Sequence, residues 1–281
     1  GLRTMGITWG HNKDHRPDLK QLLYTLTVTE DGGVPIYFTT DSGNTTDDTT
    51  HLKTWELLRE LVGHPDFLYV ADCKLASREN LRAIEARGGR FITVLPRTRR
   101  EDGEFRRRVI EGGKSLVWKV LEEVVDDDGN FEDRLSVLDE ELRTSDGFRL
   151  FWYFSQRKAE QDAKTRARQL EKLRRELAEL QQRLDSKKTR LRTRAKVEQE
   201  LKKVLSASAV APLLNVTIEE RELESFKQTK RGRPGADTKY TRELSQRYSL
   251  VVETAADKIA EAVALDGTFP LISNVRDMSH L

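Results

Sequence analysis

The chain has 281 residues, with 49 Lys and Arg against 47 Asp and Glu and a formal net charge of +2. This near balance excludes bulk charge as a source of nucleic-acid affinity, so such binding would need local clusters of basic residues. A single cysteine, Cys73, excludes an internal disulfide and a thiolate zinc site, and the lack of an apolar run of about 20 residues predicts no membrane-spanning helix.

The chain opens with the pattern of a β-hairpin. In LLYTLTVT (22–29), apolar residues alternate with residues that are mostly threonine, which is typical of a half-buried strand. The turn sequence EDGG leads to a second strand, VPIYFTT (34–40). Helical spacing of apolar residues from Leu52 to Val62 then predicts an amphipathic helix.

A strand, a helix and a second strand follow. FLYVA (67–71) and RFITVLP (90–96) are apolar runs of the kind that is covered on both faces of a sheet. Between them we predict a helix over about 78–87, capped by Ser77. Because a strand, helix and strand crossover gives a parallel pair, we predict an α/β fold with a mixed sheet and flanking helices.

The pattern changes after Pro96. Residues 97–108 are highly charged, and three short strands are predicted next, at KSLVWKV, RLSVLDE and FRLFWYFS. Residues 157–205 contain strong helix formers and a leucine seam, which fails at Lys187. We therefore expect a bend near Asp185 and Ser186 or a helical hairpin that folds back. Packing inside the chain explains the seam better than dimerisation does.

The last part of the chain is again strand-like. LLNVTIEER (213–221) and RYSLVVET (247–254) predict strands on either side of the loop TKRGRPGADT. DGTFPLISN (266–274) predicts a turn and a strand, after which Asp277 can cap a helix.

Asp72, which directly follows the strand FLYVA, is the main candidate for a functional carboxylate. It is either a local turn residue satisfied by backbone N–H groups or a metal ligand. Ser77 is the better cap for the next helix, and the carboxyl end of a strand is where open α/β sheets place their sites. A pair of Mg²⁺ ions needs two or three converging acids, so Asp72 alone would not be sufficient.

Several blocks of the sequence resemble, in the same order, blocks of bacterial insertion-sequence transposases of the DDE class. These blocks are HNKDHRPDLKQLLYTLTV, EDGGVP, SGNTTDD, FLYVADCKLASRENL, RFITVLPRTRRE, RGRPGADTKY and DGTFPLISN. The resemblance implies an RNase H-like core that is interrupted by a β-rich insertion. It places the first part of the core at 1–96, the insertion at 97–267 with a long helix at about 157–205, and the return to the core at 268–281.

The resemblance makes Asp72 the second catalytic Asp and a ligand of Mg²⁺ or Mn²⁺. It implies metal-dependent cleavage and strand transfer of insertion-sequence ends. The family's first Asp would lie upstream of the HRPDLKQ block and its Glu downstream of FPLISN, so neither falls within residues 1–281, and we expect the chain to be catalytically incomplete. Four other aspartates could replace the missing acids, but they belong to the HRPDLKQ and GNTTD blocks, which are not where the family keeps its catalytic acids: Asp14, Asp18, Asp47 and Asp48. The alternative is a non-catalytic DNA-binding or interaction protein derived from a transposase.

The resemblance also implies double-stranded DNA, as transposon ends and target, as a partner, a homodimer in the synaptic complex, and a cytoplasmic, nucleoid-associated location. Candidate phosphate contacts, each of which could equally be a solvated surface charge, are Arg16, Lys20, Arg97, Arg99 and Arg100. Arg231 and Arg233 lie in RGRP, which resembles the AT-hook core that enters a narrow minor groove. That segment can also be a simple loop. The five histidines show no ligand spacing, and Cys73 is expected to be a small buried neighbour of Asp72.

Overall fold

A computed structural model describes the chain over residues 6–10, 16, 18–45, 50–112, 116–186 and 188–275. Over these ranges the protein is a mixed α/β structure. It contains a seven-stranded mixed sheet with flanking helices and two antiparallel two-stranded hairpins. The predicted α/β class and mixed sheet are therefore confirmed.

Strands β1 (Leu22–Val28) and β2 (Pro35–Ser42) form the predicted antiparallel hairpin. The amphipathic pattern favours burial of the apolar side of β1, but the side that carries the threonines is the less exposed one. Tyr37 of β2, which neighbours this threonine side, packs on the main core. The apolar side of β1 is 43 to 57% exposed, and it comprises Leu22, Tyr24, Leu26 and Val28. The hairpin thus presents an apolar face that the described residues leave open.

The predicted helix, strand, helix and strand follow as α1 (Thr50–Val62), β3 (Leu68–Ala71), α2 (Arg78–Ala86) and β4 (Arg90–Val94). Strands β3 and β4 pair in parallel, as the crossover requires. The prediction that β3 is covered on both faces is wrong, because β3 is the edge strand of the sheet and Val70 is 65% exposed.

A glycine fixes the close approach of α1 to the start of β4. A Cβ built on Gly89 would lie 2.5 Å from Cζ2 of Trp55 and 2.6 Å from Cγ2 of Ile84, closer than side-chain atoms pack. Trp55 and Ile84 are both fully buried at this point. The glycine therefore allows the indole to fill the space between helix and strand.

The charged segment after Pro96 contains helix α3 (Arg100–Ile110), which the sequence pattern did not predict. Only Phe105 provides an apolar anchor of size in the helix interior, and its ring stacks on Trp152 with centroids 3.5 Å apart. Asp102 pairs with Arg106 at 2.6 Å one helical turn later. The helix therefore packs through Phe105 and the partly buried Val109 and is supported by ion pairs, a pattern that hydrophobic periodicity does not detect.

The other strands of the seven-stranded sheet are β5 (Trp118–Val125), β6 (Phe131–Leu138), β7 (Leu142–Arg143), β8 (Arg149–Ser155) and β11 (Thr268–Ser273). The strand order is β3-β4-β11-β8-β6-β5, and β7 pairs with β8. Strand β11 lies between β4 and β8 and is antiparallel to both. One sheet therefore contains strands from both sides of the boundary predicted at residue 96.

Helices α4 (Gln156–Asp185) and α5 (Arg194–Ser206) replace the long helix predicted over 157–205. The chain folds back between them, so the helical-hairpin alternative is confirmed. The seam leucines are buried inside the chain against α5 and the following strands: Leu173, Leu177, Leu180 and Leu184. This agrees with the prediction that the seam serves packing within the chain.

Strands β9 (Leu214–Gln228) and β10 (Tyr240–Thr254) pair antiparallel over 15 residues each, far longer than the predicted strands. Helix α6 (Ala256–Leu265) then leads into β11. Arg166 of α4 makes a bidentate pair with Asp266, with distances of 2.6 and 2.8 Å, and both side chains are nearly buried. This pair fixes α4 to the entry of β11.

No helix in the described ranges has the length and apolar character needed to cross a lipid bilayer. Asp277 and its predicted helix, together with Asp14, Asp47, Asp48 and Lys187, lie outside the described residues.

Candidate functional site at the carboxyl end of strand β3

Asp72 directly follows β3, at the carboxyl end of the parallel pair β3 and β4. Its backbone is held in place by two hydrogen bonds: the Thr93 hydroxyl donates to the Asp72 carbonyl at 2.6 Å, and the Leu75 N–H donates to the same oxygen at 3.1 Å. Thr93 is itself buried at the end of β4. The position of Asp72 is therefore set by the sheet and by the turn that follows it.

The Asp72 carboxylate is 64% exposed. Its Oδ1 accepts a hydrogen bond from the Lys74 N–H at 2.9 Å. Asp72 therefore does act as a turn residue that is satisfied by a backbone N–H group. The capping role is taken by Ser77, whose Oγ accepts from the Asn80 N–H at 3.2 Å. One carboxylate thus serves the turn and still presents an oxygen to solvent, which leaves it free to bind a ligand.

Two further side chains, His51 and Tyr69, lie beside Asp72, although no sequence motif links them to it. His51, in the first turn of α1, has its Nε2 3.7 Å from Asp72 Oδ1 and its Nδ1 3.2 Å from the Tyr69 hydroxyl. Burial, together with the negative charge of Asp72, raises the pKa of Tyr69 to about 12. The imidazole is 15% exposed at its side chain, so the carboxylate is the outermost group of the three.

No spacing signal in the sequence could have identified His51, because helix α1 and strand β3 bring it to Asp72 only through tertiary packing. The expectation for Cys73 was wrong, since it is exposed rather than buried. It follows Asp72 in a turn on the solvent side of the sheet edge.

The described residues do not form a complete metal site. No group of three or more His, Cys, Asp or Glu side chains capable of holding a metal ion occurs among them. Asp18, one of the other aspartates that could have served as a metal ligand, is paired with Arg16 at 2.7 Å. A two-metal site needs two or three converging acids, so Asp72 with a neighbouring imidazole does not satisfy it.

The predicted DNA-contact residues occupy separate parts of the structure. Arg16 pairs with Asp18 on the surface, and the Lys20 ammonium lies 4.6 Å from the centre of the Trp9 ring. Both basic side chains lie close to the β1–β2 hairpin in sequence, and both are exposed.

The three arginines near the start of α3 differ strongly in environment. Arg97 is exposed, and Arg100 is 74% exposed and pairs with Glu104 at 3.2 Å. Arg99 is instead 14% exposed and pairs at 2.6 Å with Asp146, whose side chain is 1% exposed. The Arg99 charge is therefore already compensated inside the protein, which favours a structural role for it over a phosphate contact.

Arg231 and Arg233 lie in the loop that joins β9 and β10, on a different element from Asp72, and both are exposed. The structure therefore does not gather the predicted site residues into one cluster. It places one exposed acid at the sheet edge, two exposed arginines near the start of α3, and two more at the tip of the long hairpin.

A cavity of about 880 Å³ in the described structure does not include Asp72 in its lining. Asn274 is part of its lining and accepts a hydrogen bond from the Phe91 N–H at the start of β4, so this cavity lies at the opposite end of that strand from Asp72. Its charged lining mixes bases such as Lys119 with acids such as Asp139. This mixture does not define a ligand of one charge.

Comparison of the chain with protein-family models, with curated proteins and with solved structures found no match. The chemistry of the site is therefore judged from its own residues. A solvent-facing carboxylate at a strand end, with an imidazole 3.7 Å away, can provide one ligand or one base but cannot by itself hold a metal pair.

Proposed function

We propose that this chain acts in DNA transposition as part of a DDE-class transposase, with an RNase H-like core interrupted by an insertion. The observation that carries this proposal is the position of Asp72. Its carboxylate is exposed at the carboxyl end of a parallel strand pair. Asp72 lies within the block VADCKL, which resembles the motif that carries the family's second catalytic Asp. Open α/β sheets place their sites at this end.

The free edge of β3 supports the proposal. Among the described strands, β3 pairs with β4 alone, so its other edge can accept a strand next to Asp72. The family resemblance puts the first catalytic Asp on a strand upstream of the HRPDLKQ block. A strand paired with this edge would bring its acid close to Asp72.

The divalent metal implied by the family is only partly supported by the residues present. Asp72 would be one oxygen ligand of Mg²⁺ or Mn²⁺, and among the described residues it belongs to no group of three or more candidate metal ligands. We therefore derive no reaction step through a metal ion in this chain. The residues that would complete the site belong, under this proposal, to the upstream strand and to a helix beyond β11.

DNA as the partner is supported by exposed arginine side chains at two places. Arg97 and Arg100 lie near the start of α3, and Arg231 and Arg233 lie at the tip of the long hairpin. Phosphate binding requires such exposed charges, each of which releases counterions when it contacts the backbone. Transposition joins two DNA ends, so the proposal includes a homodimer in the complex that holds them.

A second candidate function is a non-catalytic DNA-binding or interaction protein that derives from a transposase. The lack of a metal-binding group among the described residues favours this alternative. It keeps the exposed basic groups and gives Asp72 only its turn role. The two candidates differ in whether the encoding reading frame supplies an Asp on a strand ahead of Gly1 and a Glu on a helix after Leu281.

The test is DNA cleavage in Mg²⁺ or Mn²⁺ by a protein that carries both of those acids. We expect Asp72→Ala to lower cleavage at least about 100-fold, because the loss of a metal ligand removes several kcal/mol of transition-state stabilisation. DNA binding should stay unchanged. Asp66→Ala is the matched control, since Asp66 is 73% exposed and lies just before β3. Undiminished cleavage by Asp72→Ala would refute the assignment, and a reading frame without the two acids would favour the non-catalytic alternative.

A further inference from the structure

The hairpin of β9 and β10 projects beyond the helices on which its base packs. Near the base, Tyr248 is buried, and the Arg247 guanidinium donates to the Ser186 carbonyl at the end of α4. Beyond these contacts, seven residue pairs run from Gln246↔Glu222 to Tyr240↔Gln228. At about 3.3 Å per residue, this distal part, which we call the arm, extends about 23 Å before its loop.

Charge is distributed unevenly along the arm. Its two strands, residues 222–228 and 240–246, contain the acids Glu222, Glu224 and Glu243. The loop at the tip has one acid, Asp237, and four bases that form no ion pair with any residue in the described ranges: Lys230, Arg231, Arg233 and Lys239. The two basic residues on the strands of the arm are paired, in contrast: Lys227 with Glu243, and Arg242 with Glu224. Available positive charge is therefore confined to the tip.

The tip has a shape that suits a groove of nucleic acid. Arg231 and Arg233 flank Gly232, which has no side chain, and Pro234 follows them, so the backbone between the two guanidinium groups is thin. All four residues are exposed. A narrow A·T minor groove carries enhanced negative potential and attracts arginine side chains inserted into it.

We propose that the arm is a DNA-binding element that inserts Arg231 and Arg233 into the minor groove of A·T-rich duplex, at a distance from the Asp72 site. The two bases on the strands of the arm are already paired with acids, so the contact with phosphates is limited to the tip. This inference rests on the proposed function in that its ligand is double-stranded DNA.

The competing occupant of the arm is a second copy of the chain. Phe226, Tyr240 and Leu244 lie together on one face of the arm, since Arg242 is opposite Phe226 and is flanked by the other two. Each of the three is more than half exposed, at 64%, 51% and 57%. Four unpaired bases at the tip disfavour a like-charged copy and favour DNA, so a protein contact is treated as an outcome of the test.

The test measures binding of the 281-residue chain to fluorescent A·T-rich and G·C-rich duplexes by fluorescence anisotropy over a range of salt concentrations. We expect Arg231→Ala with Arg233→Ala to weaken binding to the A·T-rich duplex at least about tenfold, and to lower the salt slope by about 2. The preference for A·T should also be lost. The matched control is Arg175→Ala with Lys202→Ala, which removes the same charge from exposed helix positions and should change affinity less than about twofold.

A crosslinking experiment checks the position of the contact. Because Cys73 is the sole cysteine, Cys73→Ser allows a photoreactive label to be placed on Ala236→Cys at the tip or on Ala178→Cys on α4. The label at the tip should crosslink to DNA, and the label on α4 should not.

The outcomes separate this inference from the proposed function. Equal affinity of the wild type and the arm variant, or an equal loss in the control, would overturn the arm inference while leaving DNA binding by the core intact. Failure of the wild-type chain to bind any duplex would overturn the proposed function as well. If Phe226→Ser with Leu244→Ser dissociates a dimer without changing DNA affinity, and the label at the tip does not crosslink to DNA, the arm is a protein contact and the inference is wrong.

Discussion

Glu101→Gln probes the ion-pair cluster that joins the start of α3 to the turn before β8. Glu101 is 7% exposed, and its Oε1 accepts from the Ser145 N–H at 2.7 Å and lies 3.5 Å from Arg99 Nη2. Burial opposes ionisation of this carboxyl group, but the hydrogen bonds from Ser145 and the charge of Arg99 outweigh it and lower its pKa from 4.5 to about 2. Glutamine has the shape of the protonated form, so the variant isolates the contribution of the charge.

The lowered pKa sets the size and the sign of the effect. At about 1.4 kcal/mol per pKa unit, the ionised Glu101 contributes about 3 kcal/mol to the free energy of unfolding at neutral pH. Because the folded-state pKa lies below the unfolded-state pKa, this contribution is complete above pH 4.5 and is lost as the pH falls towards 2. At about pH 3 it should have fallen to about 1.4 kcal/mol.

The assay is urea unfolding followed by tryptophan fluorescence, since Trp152 is buried in the same core. Glu101→Gln should be about 3 kcal/mol less stable than the wild type at about pH 7, and the difference should shrink on acidification. Glu104→Gln is the control on the same helix, because Glu104 is 52% exposed and its surface pair with Arg100 should contribute under about 1 kcal/mol. A difference that stays constant from neutral to acid pH would refute the assigned role of the Glu101 charge.

Two further predictions concern the helical hairpin and the Tyr69 hydroxyl. Leu177→Ala should destabilise the packing of α4 on α5 by about 2 to 5 kcal/mol, because Leu177 is 2% exposed; hydrogen exchange of the two helices should accelerate together, and unchanged exchange would contradict the packing. The raised pKa of Tyr69 means that its contribution to the free energy of unfolding is present below its usual value of 10 and is lost as the pH rises to about 12. Asp72→Asn should lower that pKa by removing one of its two causes, and NMR titration of ring-labelled tyrosine that shows no change would contradict the coupling.

The elements with strong local patterns were predictable. The spacing of apolar residues in α1, the cap at Ser77 and the crossover from β3 to β4 all follow from short-range chemistry. The end of α4 at Asp185 followed from the failure of the leucine seam. In each case the determining residues lie within a few positions of one another.

Other features depend on contacts between distant residues. The distal part of the β9–β10 hairpin contains few apolar residues, so periodicity predicted only the base of the hairpin, at 213–221 and 247–254. Cross-strand pairs such as Lys227 with Glu243 support the distal part along its length. The pairing of β11 with β8 joins segments more than 100 residues apart in the chain. His51 reaches Asp72 in the same way, through the packing of α1 against the sheet. Arg99 had the composition of a surface base, and its buried partner Asp146 became visible only in the fold.

The β3 edge, which no described strand covers, also affects how the purified protein behaves in solution. An edge strand with an exposed Val70 offers unpaired backbone N–H and C=O groups, and β1 adds an apolar surface at Leu22, Tyr24, Leu26 and Val28. The unpaired strand edge and the apolar surface together favour edge-to-edge pairing between chains. We therefore expect poor recovery on refolding at high concentration, and we expect charged substitutions at Val70 or Leu26 to improve solubility.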